Sequence, residues 1–353
     1  MDTDKPDIDS KWIITSKTFI DKGFCGLQNL GNTCFMNSAI QCLSHTEQFV
    51  SLFMSNTYKE DLKQNSMEID LILAWNELIR YIWYKNSLIS PRKFLIISQQ
   101  LAINKNILQF AGFSQNDSVE YLLFLLDSIH LGLSYKTTMN IIGTPKNERD
   151  KHALKAYDSW IKFFSNEYSE IIKLFYGQFI TKIDVLNDDM SIKETNFLYE
   201  PFNCLILDIP KFEDRTTTIY DCLNMYCNIE DIIISNNNRK KKTQFWKLPQ
   251  NLIISFKRFN INREKMEDEV IFPIDDLDLS KYVNGYNPSS YKYELYAVIH
   301  HTGNTNSGHY FSSIRNANNK WYIMNDTQIM ECDKDFLIKY SYCLFYRKTQ
   351  THN

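Results

Sequence analysis

The apolar positions of this chain keep one rhythm in the first half and another in the second. From 32 to 46, Phe35, Ala39, Cys42 and Leu43 recur at i, i+4, i+7 and i+8, which predicts a helix starting near Asn32–Cys34. Leu71, Trp75, Leu78, Ile79, Ile82 and Trp83 mark one face of a second helix over about 67–85. Ser90-Pro91 reads as a cap and an N1 proline opening a third. A fourth begins at Asn116 or Asp117 and carries Val119, Leu122, Leu123, Leu126 and Ile129. Residues 131–150, with Gly143-Thr144-Pro145, are expected as a loop, and another amphipathic helix is expected over about 151–173. Beyond that, strand-like runs stand at 176–186, 202–209, 250–259, 291–301, 309–315, 320–324 and 341–348. The stretch 236–243, NNNRKKKT, is expected as a solvated hairpin tip. A helical lobe followed by an antiparallel-sheet lobe is the α+β class, and the cleft between such lobes is the natural seat of an active site.

Composition narrows the functional classes. The 353 residues are two domains' worth of chain or one large subdivided domain. With 44% hydrophobic and 23% charged residues the chain is ordinary globular material. Its 39 Lys+Arg against 42 Asp+Glu leave a net charge of -3, which gives no footing for nucleic acid or a polybasic membrane anchor. The longest apolar runs, such as YLLFLL at 121–126, are too short to span a bilayer. The opening MDTDKPDIDS is acidic and lacks an apolar h-region, so no secretory signal is visible and an intracellular location, cytoplasmic or nuclear, is expected. Residues 1–22 and 349–353 are expected as tails.

The eight cysteines, at 25, 34, 42, 204, 222, 227, 332 and 343, form no C-x-x-C and no zinc-finger spacing with histidine. Without a signal peptide, a disulfide framework is not expected. The baseline is a set of reduced thiols buried like small hydrophobes. Cys34 stands apart through its neighbours, GLQNLGNTCFMNSAIQCLSHT over 26–46. Gly26 and Gly31 predict a kinked loop that delivers Cys34 to the first turn of a helix. There the unpaired N–H groups and the dipole favour a thiolate. The same N–H groups can donate to an oxyanion, and Asn29 in the loop is a candidate second donor. Cys42 lies about 12 Å further along such a helix, so it cannot pair with Cys34.

A thiol nucleophile needs a histidine base, and the base needs a group to hold its ring. His309 follows Ser307-Gly308 at the mouth of a strand, and a turn at 316–319 returns Asn325 and Asp326 beside it. Either could accept from one ring nitrogen and leave the other facing Cys34. His45, His130, His152, His300 and His352 read as satisfied core or surface residues.

These residues match a family. GLQNLGNTCFMNSAIQCL resembles the Cys box of the ubiquitin-specific proteases, and YAVIHHTGNTNSGHYFSSIRNANNKWYIMND resembles their His box. FSQNDSVEYLLFLLDSIH is similar to the family's Gln-x-Asp helix start, and KLPQNLIISFKRF with FPIDDLDLSKYV to its palm segment. The resemblance covers roughly 23–348. It implies a papain-like cysteine protease fold, with a helical thumb (about 23–173), β fingers (about 174–250) and an antiparallel β palm (about 251–348). It implies a monomeric thiol-dependent deubiquitinase that hydrolyses the isopeptide or peptide bond at the C-terminal glycine of ubiquitin. Ubiquitin and ubiquitinated proteins are then the partners. Carried over by position, Cys34 is the nucleophile, His309 the general base, Asn325 the orienting member, Asn29 an oxyanion donor and Asp326 a supporting residue. Asp117 and Glu120 match acidic positions that meet the substrate's tail, with Gln115 in the same motif. A Leu-Arg-Gly-Gly tail offers an arginine to carboxylates, and its glycines suit a narrow channel walled by Gly308 and Tyr310. His301 matches the H-x-G before that loop and is a candidate for the lining. Many members bind zinc through two C-x-x-C pairs at the tip of the fingers. Here 178–200 and 228–250 contain no cysteine, so neither zinc nor any cofactor is expected. Two alternatives are an inactive ubiquitin-binding module and another Cys–His acyl-transfer enzyme of the transglutaminase kind. The first predicts loss of Cys34, His309 or Asn325, and none is lost. Against the second stand the length of both boxes and the acidic residues suited to an arginine-bearing tail.

Overall fold

The computed structural model describes residues 18–349 except 235–236, 261–263 and 305–306. The first lobe holds the helices α1 (Cys34–Ser44), α2 (Glu47–Met54), α3 (Tyr58–Asp61), α4 (Ile69–Tyr84), α5 (Arg92–Asn104), α6 (Ser118–Gly132), α7 (Glu148–Phe164) and α8 (Glu170–Phe175). Two short strands beside them, β1 (Gly26–Leu27) and β2 (Leu88–Ile89), pair in parallel. The spacing in α1 predicts an amphipathic helix, yet all 11 of its residues are buried. A helix enclosed all round must satisfy its polar side chains internally. Ser38 Oγ accordingly meets Ser118 Oγ of α6 at 2.9 Å, and Gln41 Nε2 donates to the Cys25 carbonyl at 2.7 Å. α6 opens as its sequence suggests: Asp117 Oδ1 caps it, accepting the N–H of Val119 at 2.7 Å and of Glu120 at 2.9 Å.

The helix expected over 151–173 is in fact two. After α7 ends, Tyr168 exchanges both backbone hydrogen bonds with Tyr135, at 2.8 and 2.9 Å, which helical backbone cannot do. α8 starts only after that exchange. α2, absent from the helices expected, begins almost where α1 ends and buries Phe49, Val50, Phe53 and Met54 at helical spacing.

Two sheets follow. β3 (Gly177–Leu186), β4 (Ile192–Phe202), β7 (Ile229–Ile234) and β8 (Asn237–Lys247) form an antiparallel sheet in the order β4-β3-β8-β7. Between its hairpins come β5 (Leu205–Leu207), β6 (Thr217–Thr218) and α9 (Ile219–Tyr226), which opens on a capping box between Thr218 and Asp221. The basic run expected as a hairpin tip is instead a strand (residue 236 lies outside the described residues). β8 is paired along both edges, and its cations meet carboxylates across the ladder. Lys240 stands opposite Asp184 and Asp231, and Lys241 pairs with Glu230 at 3.4 Å.

The larger sheet combines β9 (Asn251–Phe256), β12 (Lys292–Gly303), β13 (Gly308–Arg315), β14 (Trp321–Asn325), β15 (Gln328–Cys332) and β16 (Ser341–Lys348) in the order β15-β14-β13-β12-β16-β9-β5. β11 (Leu277–Asp278) pairs with β12, and β10 (Val270–Ile271) pairs with β6. β9, NLIISF, is buried along its whole length because both faces of the sheet are covered. Ile253, Ile299 and Phe345 point into a core shared with the helices. Ile254, Val298 and Leu344 point the other way, into a second core with Leu223 of α9. The first core fuses helical lobe and sheet, and the cleft opens at its rim.

Candidate active site

The nucleophile loop turns sharply because Gly31 (φ 108°) and Asn32 (φ 54°) are both left-handed, and Cys34 is then the first residue of α1. Asn29 Oδ1 knits the loop by accepting from the N–H groups of Gly31 and Thr33, each at 3.1 Å. Thr33 Oγ1 adds a bond from the Leu30 N–H at 2.9 Å. Gly26 serves differently from the expected kink. It lies in β1, where a Cβ would stand 2.7 Å from the Thr327 carbonyl, so glycine lets the turn after β14 press against the loop.

The hairpin β13–β14 supplies His309, the candidate base. Its register, Ser312 opposite Met324, brings His309 and Asn325 together at one end, with His309 Nε2 2.7 Å from Asn325 Oδ1. An amide oxygen only accepts, so Nε2 carries a proton and Nδ1 is left for Cys34. The ring's hydrogen bond to the Cys34 side chain is the main reason its pKa is raised to about 9. Burial pulls the other way, and Asn325 and the Asp326 charge add to the rise.

Asp326, left-handed at φ 49°, turns away from the imidazole. Its Oδ2 accepts from Asn29 Nδ2 at 3.0 Å, its Oδ1 from Asn37 Nδ2 at 2.8 Å, and its carbonyl from the Leu27 N–H at 2.7 Å. Asn325 therefore meets the histidine, while Asp326 stitches the nucleophile loop and α1 to the sheet. Asn37 has no place in the sequence reading. Its signal was an amide in the middle of a helix that turns out to be wholly buried.

Beside Cys34 lies a cavity of about 260 Å³, walled by Gln115, Asp117, Phe259, His301, Gly308 and Tyr310. Gln115 pairs with the Gly308 peptide in both directions, Nε2 to O at 3.3 Å and N to Oε1 at 3.4 Å. Asp117 Oδ2 accepts from Tyr310 Oη at 3.2 Å and also from Tyr342 Oη. With the two N-cap bonds, its acceptor positions are filled. The expectation of an arginine on Asp117 thus meets a carboxylate already engaged as cap and tyrosine clamp. Glu120, exposed on α6, accepts one bond from Gln109 Nε2 at 3.0 Å. Partial burial and the charge of Asp117 raise its pKa. Among the residues expected to bind substrate, Glu120 is the one outside the cavity wall. His301 is 3% exposed, and burial lowers its pKa to about 4, so it is a neutral wall packed 4.5 Å from the Tyr310 ring. A Cβ on Gly308 would lie 2.2 Å from His301 Nε2, which is why glycine stands there.

All eight cysteines are free thiols. Among the described residues no group of three or more His, Cys, Asp or Glu could hold a metal ion, so the smaller sheet does not fit a tetrahedral zinc. Its β3–β4 turn is closed by the Asn187 N–H on the Ser191 carbonyl and the Met190 N–H on the Asn187 carbonyl, both at 2.9 Å. No helix among the described residues is long and apolar enough to cross a membrane.

With this geometry go the likenesses to known proteins. Residues 25–346 match the family described as Ubiquitin carboxyl-terminal hydrolase, and the chain belongs to that family. Ubiquitin carboxyl-terminal hydrolase 2 of Homo sapiens is 32% identical over 327 residues, 87% of this chain and 52% of the relative. Ubiquitin carboxyl-terminal hydrolase 4 of Saccharomyces cerevisiae (strain YJM789) is 28% identical over 366 residues, 92% of this chain and 39% of the relative. The chain thus spans about half the length, or less, of the curated relatives it matches. Among solved structures, the SAGA Ubp8/Sgf11/Sus1/Sgf73 DUB module bound to ubiquitin aldehyde is similar at a TM-score of 0.68 and 22% identity, over 97% of this chain and 72% of that one. At that identity the likeness shows a shared fold, which the elements above make α+β.

Proposed function

We propose that this chain is a thiol-dependent deubiquitinase that cleaves the isopeptide or peptide bond after the C-terminal glycine of ubiquitin. The observation that carries the reading is the alignment of Cys34, His309 and Asn325 at the rim of a narrow, glycine-walled cavity. His309 takes the Cys34 proton, and the thiolate at the start of α1 attacks the glycine carbonyl. The oxyanion that develops is met by first-turn N–H groups of α1 and by the second amide N–H of Asn29, which Asp326 aims through the first. His309, held by Asn325, protonates the departing amine. Water then hydrolyses the thioester. Glu120 supplies negative charge for the tail's arginines, and Gln115, Gly308, Tyr310 and His301 shape the channel for its glycines. A monomer as the working unit belongs to the same proposal. A cytoplasmic or nuclear location belongs to the same proposal, since ubiquitin conjugates are found there.

The test is incubation with ubiquitin carrying a C-terminal electrophile. A covalent adduct on Cys34, lost in Cys34→Ala, is the expected result. No adduct on folded protein, or an adduct that survives the substitution, would overturn the reading.

A further inference from the structure

β12 runs on past its neighbour. Its last pairing with β16 is His300 opposite Ser341, and the His301 N–H is taken by the Tyr340 carbonyl at 2.9 Å. In an antiparallel strand the N–H and C=O of one residue point to the same side. The carbonyls of His301 and Gly303 therefore project from a sheet edge that β16 no longer covers. Lys265 fills the gap: its Nζ donates to His301 O at 2.8 Å and to Gly303 O at 3.1 Å. Its own backbone pairs with Phe259 in an antiparallel bridge, and Met266 N–H bonds the Arg258 carbonyl at 2.6 Å. Phe259 in turn packs its ring 5.6 Å from the His301 imidazole. One ammonium thus ties the segment carrying the Phe259 wall to the strand end carrying His301. The opposite strand, in register through Thr302 and His309, carries Gly308, His309 and Tyr310. No carboxylate pairs with this ammonium among the ion pairs of the described residues, so its two strongest partners are the carbonyls. Burial lowers its pKa, against the charge of Glu267.

We propose that Lys265 is a positioning residue for substrate recognition, clamping the two walls of the cavity so that it is preset to receive an extended, glycine-ended peptide tail. This rests on the reading of Cys34 as the nucleophile toward ubiquitin. The ammonium stands in for a neighbouring strand: it satisfies two edge carbonyls while leaving no further ladder to extend. It does not touch Cys34, so its effect falls on binding the tail and not on the reactivity of the thiol.

The measurement is steady-state hydrolysis of ubiquitin bearing a C-terminal fluorogenic amide, beside alkylation of Cys34 by iodoacetamide. Lys265→Met keeps the stem and removes the donors. It is expected to raise KM about tenfold, the equivalent of one charged hydrogen bond, with kcat within about twofold of wild type. Iodoacetamide should alkylate Cys34 at the wild-type rate. Lys265→Arg, which restores donors, should recover most of the lost affinity. Should Lys265→Met not fold, Lys265→Gln, neutral but still a donor, is expected to show the same KM effect in weaker form. An unchanged KM, or a fall in kcat that parallels slower alkylation, would overturn the clamp. Failure of wild-type protein to hydrolyse the substrate at all would strike at the deubiquitinase reading instead.

Discussion

His309 sits between two partners that both favour its charged form, and the sign of the resulting pH dependence follows. Its pKa stands at about 9 in the folded chain against 6.5 for an ordinary histidine. The folded state holds that proton more tightly, so this contribution to stability is complete below about pH 6.5 and is lost as pH rises through about 9. Because the Cys34 hydrogen bond is the main cause, Cys34→Ala should bring the imidazole titration, followed by NMR, down from about 9. In the intact enzyme, kcat/KM should fall on the alkaline side through about pH 9, as the proton needed by the leaving amine is lost. Asn29→Ala should lower kcat by about 10²–10³-fold with KM little changed, as expected for an oxyanion donor. A KM effect of that size with kcat intact would instead place Asn29 in ground-state binding. The residues proposed to carry the chemistry could be picked out because they cluster in two contiguous boxes. The saturation of Asp117 was not: Tyr310 and Tyr342 stand 193 and 225 residues away, and nothing local announces that they converge on one carboxylate oxygen.

The hairpin between β12 and β13 shows how an element constrains the site. Gly303 is left-handed at φ 83°, and a Cβ there would lie 2.3 Å from the Ser307 carbonyl. Gly308 faces the His301 ring instead, so Gly308→Ala should push that wall and slow labelling by a ubiquitin electrophile about tenfold, in line with strain of 1–3 kcal/mol. Iodoacetamide reactivity of Cys34 should be kept; if both fall together, the damage is to the fold. The smaller sheet makes its own prediction. Its turn closes through backbone hydrogen bonds, so a zinc chelator such as 1,10-phenanthroline should leave Tm and activity unchanged. A fall in either would reveal a metal. Helices with a one-sided apolar stripe could be read from spacing. The break between α7 and α8 could not, since the apolar period runs on across it. Nor could β8, because a run of lysines and an arginine reads as solvated until Asp184, Glu230 and Asp231 come alongside from other strands.

At the scale of the molecule, the core joining helices and sheet is what keeps Cys34 and His309 in reach of each other. Ile299 lies in that core at 0% exposure, on the strand beside β13. Ile299→Ala should cost about 2–5 kcal/mol and lower Tm and activity together. Tryptophan fluorescence, which among the described residues reports Trp75, Trp83 and Trp160 in the helices and Trp246 and Trp321 in the two sheets, should be lost in step with far-UV circular dichroism. Separate transitions would mean that the lobes are independent. The α+β class and the succession of elements were legible from the change in period. The strand order was not, because β16 inserts between β12 and β9, a pairing set by side chains that meet only in the folded sheet. That placement has a consequence for biosynthesis. The bond between Asn29 and Asp326 spans 297 residues, and the strand made last stands in the middle of the sheet. A ribosome adding about 5–20 residues per second needs on the order of tens of seconds between Cys34 and the end of β16. Through most of that interval the nascent polypeptide carries the Cys34 thiol before His309 and Asn325 have been added. On the proposed function, then, pairing of β16 is the step that completes the setting of the thiol, and synthesis up to that strand sets when it happens.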